Sequence, residues 1–208
     1  TTYAGGIYGL GFSESIAVLF VNEDMFEAYG CRVPTDWEEL LEVCREFLAR
    51  DITPFACSGD VDTGFRLYLE SICVSEAGSE TCAKVLSQKG TEEETAAFAA
   101  GVDKFCRLRD MGAFGDPLFS RSTQDVENDF YLSKIPMYLA KSDFTGNIVR
   151  ENSPLHGKLS VVLFPGTHSR GEVLGGISDT FVVNRAAEYP KETVQALEEV
   201  LQNFAGKL

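Results

Sequence analysis

Val18-Leu19-Phe20-Val21 is an unbroken run of β-branched, aliphatic and aromatic residues, the pattern of a strand buried in a sheet. The period then changes. Trp37, Leu40, Leu41, Cys44 and Leu48 fall at i, i+3, i+4, i+7 and i+11 with charges opposite, which predicts an amphipathic helix. Pro34-Thr35-Asp36-Trp37-Glu38 reads as its start, with Thr35 as the cap and Glu38, three residues on, closing a capping box. Ile52 to Ala56 resumes as a strand, so this stretch predicts a β-α-β unit.

Further along, Gly64 to Val74 predicts a helix carrying Phe65, Leu67, Leu69 and Ile72, and Ser75 to Gly90 reads as mixed and polar. Thr91 caps a helix running to Arg109, with Glu94 three residues on and Phe98, Val102 and Phe105 as its stripe. Asp116-Pro117 marks a turn, and Thr123 to Tyr131 is a short helix with Val126 and Phe130 inward. Pro136 to Ala140 is a buried strand, Lys141 to Asn147 a loop, Leu159 to Phe164 a strand and Gly166 to Gly175 a polar loop. Ser178 to Asn184 is a strand, and Pro190 to Phe204 a helix with Val194, Leu197, Val200, Leu201 and Phe204 on one face. Alternating strands and helices predict an α/β class with a mostly parallel sheet.

Particular residues carry a family resemblance. Asn22-Glu23-Asp24-Met25-Phe26, Tyr29-Gly30, then Val33-Pro34-Thr35-Asp36-Trp37-Glu38-Glu39-Leu40 and Ile52-Thr53-Pro54-Phe55 resemble successive motifs of the family 1 extracellular solute-binding proteins. These are the sugar-capturing receptors of ABC importers, maltose-binding protein among them. Ile135-Pro136-Met137-Tyr138-Leu139 resembles the family's Ala-Ala-Met strand, and Phe164-Pro165-Gly166 its Pro-Phe-Pro-Gly turn. The resemblance implies a periplasmic-binding-protein-like (type II) fold, of which this chain would be mainly the second lobe. Residues 1–15 would be a hairpin and the first inter-lobe crossing, 16–174 the second lobe, and 175–208 the return strand and a helix of a first lobe lying outside this sequence.

The chain has 208 residues, 44% hydrophobic and 24% charged, enough for one or two domains. A net charge of −14 argues against nucleic acid, because little here could neutralise phosphates. No apolar run reaches the roughly 18 residues of a membrane span. Signal peptide and lipid-attachment Cys are absent from this stretch, and the resemblance implies that any contact with a membrane is through a lipid anchor elsewhere in the full-length protein. Cys31, Cys44, Cys57, Cys73, Cys82 and Cys106 fit no zinc or CxxC spacing. They are expected mostly as buried free thiols, with disulfides the alternative in an exported protein and Cys73 to Cys82 the favoured pair.

Catalytic signatures are sparse. Gly9-Leu10-Gly11 lacks the third glycine of a dinucleotide fingerprint, and the only histidines, His156 and His168, lie in loops. A sugar-binding cleft needs planar polar groups and aromatic faces on loops at strand ends. By the resemblance these are Phe12, Ser13, Glu14 and Ser15; Asp60, Asp62, Thr63 and Phe65; Ser142, Asp143 and Phe144; and Gly175-Gly176 as a cleft-edge turn. Family members commonly carry Gly-Ser-Trp where this chain has Lys141-Ser142-Asp143, so the usual stacking Trp is missing and Phe144 would replace it one position on. Trp37 lies on a packing stripe. The reading is a non-enzymatic receptor for an extracellular solute, carbohydrate foremost, with ABC permease subunits as partners, no cofactor and no metal. A homodimer would cover the face of the last helix. A sugar-active enzyme using cleft carboxylates, or a sensor lobe contacting only protein, stays open.

Overall fold

Leu10–Asn22 is the longest strand, and its second half crosses the hydrophobic core. The structure, a computed structural model, describes residues 2–3, 6–60, 64–116, 120–148, 152–166, 172–184 and 186–205. In chain order, β1 (Thr2–Tyr3) and β2 (Gly6–Ile7) form an antiparallel hairpin before β3 (Leu10–Asn22). Then come α1 (Glu23–Ala28), α2 (Trp37–Leu48), β4 (Phe55–Ala56), α3 (Phe65–Ala77), α4 (Ser79–Leu86), α5 (Glu92–Asp110) and α6 (Thr123–Tyr131). β5 (Met137–Lys141), a 3₁₀ turn (Ser142–Phe144), α7 (Thr145–Ile148), β6 (Leu159–Val162), β7 (Gly175–Phe181) and α8 (Pro190–Ala205) follow. The chain divides into two compact units, residues 16–174 and residues 1–15 with 175–208.

In the larger unit the sheet order is β4-β5-β3-β6, while β7, which belongs to the smaller unit, pairs with β3 off that path. β5 and β6 run antiparallel to β3, with Val18 opposite Ala140 and Val21 opposite Ser160. β4 runs parallel to β5, Phe55 opposite Met137. The sheet is therefore mixed rather than mostly parallel. β5 lies between β3 and β4, a neighbour relation that strand-and-helix periodicity does not encode.

Alternate residues of β3 supply the two faces of the core. Leu19 and Val21 join Leu40, Leu41, Cys44, Phe47, Tyr68 and Ile72 on one side. Val18 and Phe20 join Val126, Phe130, Tyr138, Phe144 and Ile148 on the other. The stripe of α2 is buried as expected except that Phe47, not Leu48, occupies its last buried position, and Val43 is buried too.

Several local expectations need correction. The N-cap of α2 is Asp36, whose carboxylate accepts from Glu39 N at 3.0 Å, while Glu39 reaches back to Thr35 N and Oγ1, each at 2.8 Å. The box is displaced by one residue, which puts a carboxylate at the positive end of the helix instead of a hydroxyl. Only Phe55 and Ala56 of the 52–56 segment are strand, and Phe55 N donates to Ala113 O at 3.0 Å. The stretch read as mixed and polar is the end of α3 together with α4. The expected 141–147 loop is a 3₁₀ turn running into α7. The box of Thr91 and Glu94 on α5 is as expected.

In the smaller unit, β7 begins at Gly175, so Gly175-Gly176 opens the strand instead of forming a turn before it. Their φ values of 147° and 146° lie where side chains rarely go, and nothing crowds a Cβ at Gly176, so backbone conformation is what calls for glycine there. On α8, Val194 and Val200 are exposed. The expected 116–117 turn reaches Pro117, which lies outside the described residues.

Candidate functional site

A cavity of about 310 Å³ opens at the carboxyl end of β5. Tyr138 and Ala140 come from β5, Lys141, Asp143 and Phe144 from its last residue and the turn after it, Glu127 from α6 and Leu67 from α3. The alternation of β5 puts Tyr138 and Ala140 on one face, and α6, started by the Ser122–Asp125 capping box, lays Glu127 beside them. Tyr138 Oη donates to Glu127 Oε1 at 3.1 Å. Burial pushes the Glu127 carboxyl above its ordinary range, the phenol's hydrogen bond pulling back, and burial followed by the charge of Glu127 pushes Tyr138 up as well. Apolar walls from Leu67, Ala140 and Phe144 face a rim carrying Lys141 and Asp143. Such a mixture has the chemistry to hold a polyhydroxylated ring, with carboxylates accepting from hydroxyls and the ring edges against apolar surface.

A larger hollow of about 540 Å³ lies between the 33–35 segment and residues 160–166. Its walls are mostly apolar, and its acid, Glu172, already accepts from Ser79 N at 2.6 Å. Convergent polar groups favour the first cavity as the site.

Of the residues expected from sequence, Asp143 and Phe144 line this cavity. Phe144 does so only in part. It is 7% exposed and packs edge-on against Tyr138 at 5.0 Å and Phe20 at 5.2 Å, so its ring belongs to the core and cannot replace a free stacking face. Ser142 Oγ accepts from Ile16 N at 3.2 Å, tying the turn to β3. Asp60 accepts from Thr123 N at 2.8 Å and Thr123 Oγ1 at 2.5 Å, and the hydroxyl first, then the amide, holds its carboxyl below the usual range. It therefore anchors its loop to the start of α6. Gly64 closes the same loop: a Cβ there would stand 2.2 Å from Ser58 O. Phe65 packs partly buried against the core, and Asp62 and Thr63 lie outside the described residues.

The smaller unit holds the remaining expected residues. Phe12 stacks on Phe181 at 4.3 Å, and Ser13 Oγ bonds Ser178 and Asp179 at 2.7 and 2.5 Å. Ser15 is buried, whereas Glu14, Gly175 and Gly176 are exposed.

Sequence pattern does not point to Glu127 or Tyr138: Tyr138 reads only as a strand residue, and Glu127 is one of 32 acids with no motif around it. Their pairing depends on α6 packing against β5, a tertiary contact.

Among the described residues no group of three or more His, Cys, Asp or Glu could hold a metal. The cysteines are free, and burial pushes Cys44, Cys57 and Cys73 up to about 12, which suits packing rather than reactivity.

A family model described as bacterial extracellular solute-binding protein matches residues 1–204. The chain is 23% identical over 208 residues to a binding protein of Brucella abortus strain 2308, covering 95% of this chain and 47% of that protein. It superposes with a TM-score of 0.82 and 27% identity on a structure from a study of xylan utilization by the thermophilic bacterium Caldanaerobius polysaccharolyticus, over 94% of this chain and 51% of that one. A chitin oligosaccharide binding protein matches with a TM-score of 0.78 and 20% identity, over 93% and 49%. The chain spans about half the length of the curated relatives it matches. These likenesses bear out the α/β solute-binding-protein fold expected from the sequence.

Proposed function

Because the chain belongs to the bacterial extracellular solute-binding protein family, we propose that it captures a carbohydrate for an ABC importer. The cavity at the end of β5 carries the reading, since Glu127, Tyr138, Lys141 and Asp143 converge over apolar walls in about 310 Å³. Residues 16–174 are then one lobe, and residues 1–15 and 175–208 belong to the crossings and the other lobe. Ligand binding closes the two lobes about a hinge by stabilising the closed state differentially. The full-length protein is exported, lipid-anchored at the outer face of the membrane and partnered by permease subunits. It binds its solute without chemistry.

Titration calorimetry of the full-length protein against xylotriose, chitotriose, maltotriose and raffinose tests this. Micromolar binding of one of them, unaltered after incubation, is expected. Hydrolysis of the sugar would move the protein to the enzymes, and silence across the panel would remove carbohydrate as the ligand. Asp143→Ala should weaken the binding by about 1–3 kcal/mol with little change in melting temperature. Unchanged affinity would take Asp143 out of the site.

A further inference from the structure

We propose that Glu127 determines specificity in this cavity, selecting saccharides that present a hydroxyl or an ammonium there over those that present a carboxylate, sulfate or phosphate. The inference rests on the solute-binding reading above and deepens it.

Its basis is the fixed geometry of the Glu127–Tyr138 pair. Glu127 is half-buried on α6, and Tyr138, itself 3% exposed, donates to Oε1 at 3.1 Å. One oxygen is thus occupied and the group is held in place, while the side chain still forms part of the cavity wall. A held carboxylate that has lost part of its hydration accepts strongly from a ligand O–H or N–H. The same group penalises an anion placed beside it, because repulsion grows as water is displaced.

The rest of the lining does not reverse this preference. The cavity's charged groups are Glu127, Asp143 and Lys141, two carboxylates against one ammonium. Lys141 is exposed, a flexible cation screened by solvent, whereas Glu127 is pinned. The direction of the Glu127 carboxyl, pushed up by burial, agrees with a group that has surrendered water to the protein.

Glu127→Gln is the discriminating change, since Gln keeps the length and still offers Tyr138 an oxygen acceptor. The full-length wild type and E127Q are titrated with xylotriose, chitotriose, maltotriose, raffinose, a glucosamine trimer and trigalacturonate. The expected result is that a neutral or amino sugar binds the wild type and trigalacturonate does not. E127Q should lose about tenfold or more in affinity for the bound sugar, as when a charge-assisted hydrogen bond becomes a neutral one. Equal affinity of E127Q and wild type, or trigalacturonate as the tightest ligand, overturns the role of Glu127 and leaves the solute-binding reading standing. No binding by any saccharide overturns the carbohydrate reading and this inference together. Thermal melts of E127Q check that lost binding does not come from lost fold.

Discussion

Lys104 Nζ lies 5.0 Å from the centre of the Trp37 ring while its ammonium pairs with the carboxylate of Glu76. Three helices, α2, α5 and α3, meet at this point. The side chains of Lys104 and Glu76 are only 17% and 10% exposed, so the pair is largely withdrawn from water. The indole face stabilises the cation further. Trp37 is thus a packing residue, as its place on the α2 stripe predicted, and the structure adds a charge to its environment.

Removing one partner of such a pair should cost more than removing both. Lys104→Met is expected to destabilise by about 3 kcal/mol, because it takes the cation from a carboxylate that is only 10% exposed. Adding Glu76→Gln should recover part of that loss. Urea unfolding of the two variants decides the matter; a double variant less stable than the single one would mean that Glu76 has another dominant partner.

Gly101 on α5 sets how closely that helix approaches α3. A Cβ at Gly101 would stand 2.7 Å from Cys73 Cα, a backbone atom that cannot swing aside. Alanine usually gains about 1 kcal/mol over glycine inside a helix. Here Gly101→Ala should instead lose about 1–3 kcal/mol, the cost of overpacking. A raised melting temperature would show that the two helices separate easily.

Tyr68 joins two strands from within the core. Its hydroxyl donates to Ala56 O at 2.8 Å and accepts from Leu139 N at 2.9 Å, linking β4 to β5. Tyr68→Phe keeps the ring but strands a buried carbonyl and a buried amide, for a loss of about 1–3 kcal/mol. Because β5 carries the cavity's Tyr138 and Lys141, ligand affinity should fall as well. Hydrogen exchange at Leu139 should accelerate; unchanged protection there would mean the amide finds a replacement partner.

Two acids on α6 should respond to pH in opposite senses. Asp129 is held below the usual carboxylate range by its hydrogen bond from Lys134, with Arg121 adding to it and burial opposing. Its stabilisation is present above the unfolded-state value and is lost as pH falls through the folded one. Glu127, pushed up by burial, stabilises below its unfolded-state value and loses that contribution as pH rises through the folded one. Asp129→Asn should therefore lower the melting temperature at neutral pH and converge with wild type once the pH falls below the folded-state value of Asp129. Glu127→Gln should equal or exceed wild type at neutral pH, so it trades binding against stability. A Glu127→Gln protein that melts lower at neutral pH would contradict the burial penalty.

Much of the fold could be read from local patterns. The Val18–Val21 strand, the Trp37 to Cys44 stripe, the Thr91–Glu94 box and the span of α6 all depend on residues within a few positions of one another. Chain-local signals failed where competing groups sat one residue apart, as at Thr35 and Asp36, or where a polar stretch was helical through packing, as in α4. Of the acids expected at the candidate site, Asp143 lines the cavity because it follows a recognisable strand, whereas Asp60 accepts from Thr123 at the start of α6.

Sequence by itself determined the α/β class, the family and most element positions, because hydrophobic period and helix caps are set by neighbours along the chain. The tertiary structure alone decided that β5 lies between β3 and β4, that the sheet is mixed, and that Glu127 meets Tyr138 over a cavity. Strand order and side-chain pairing join residues remote in sequence, so they depend on how whole elements pack and not on any local code.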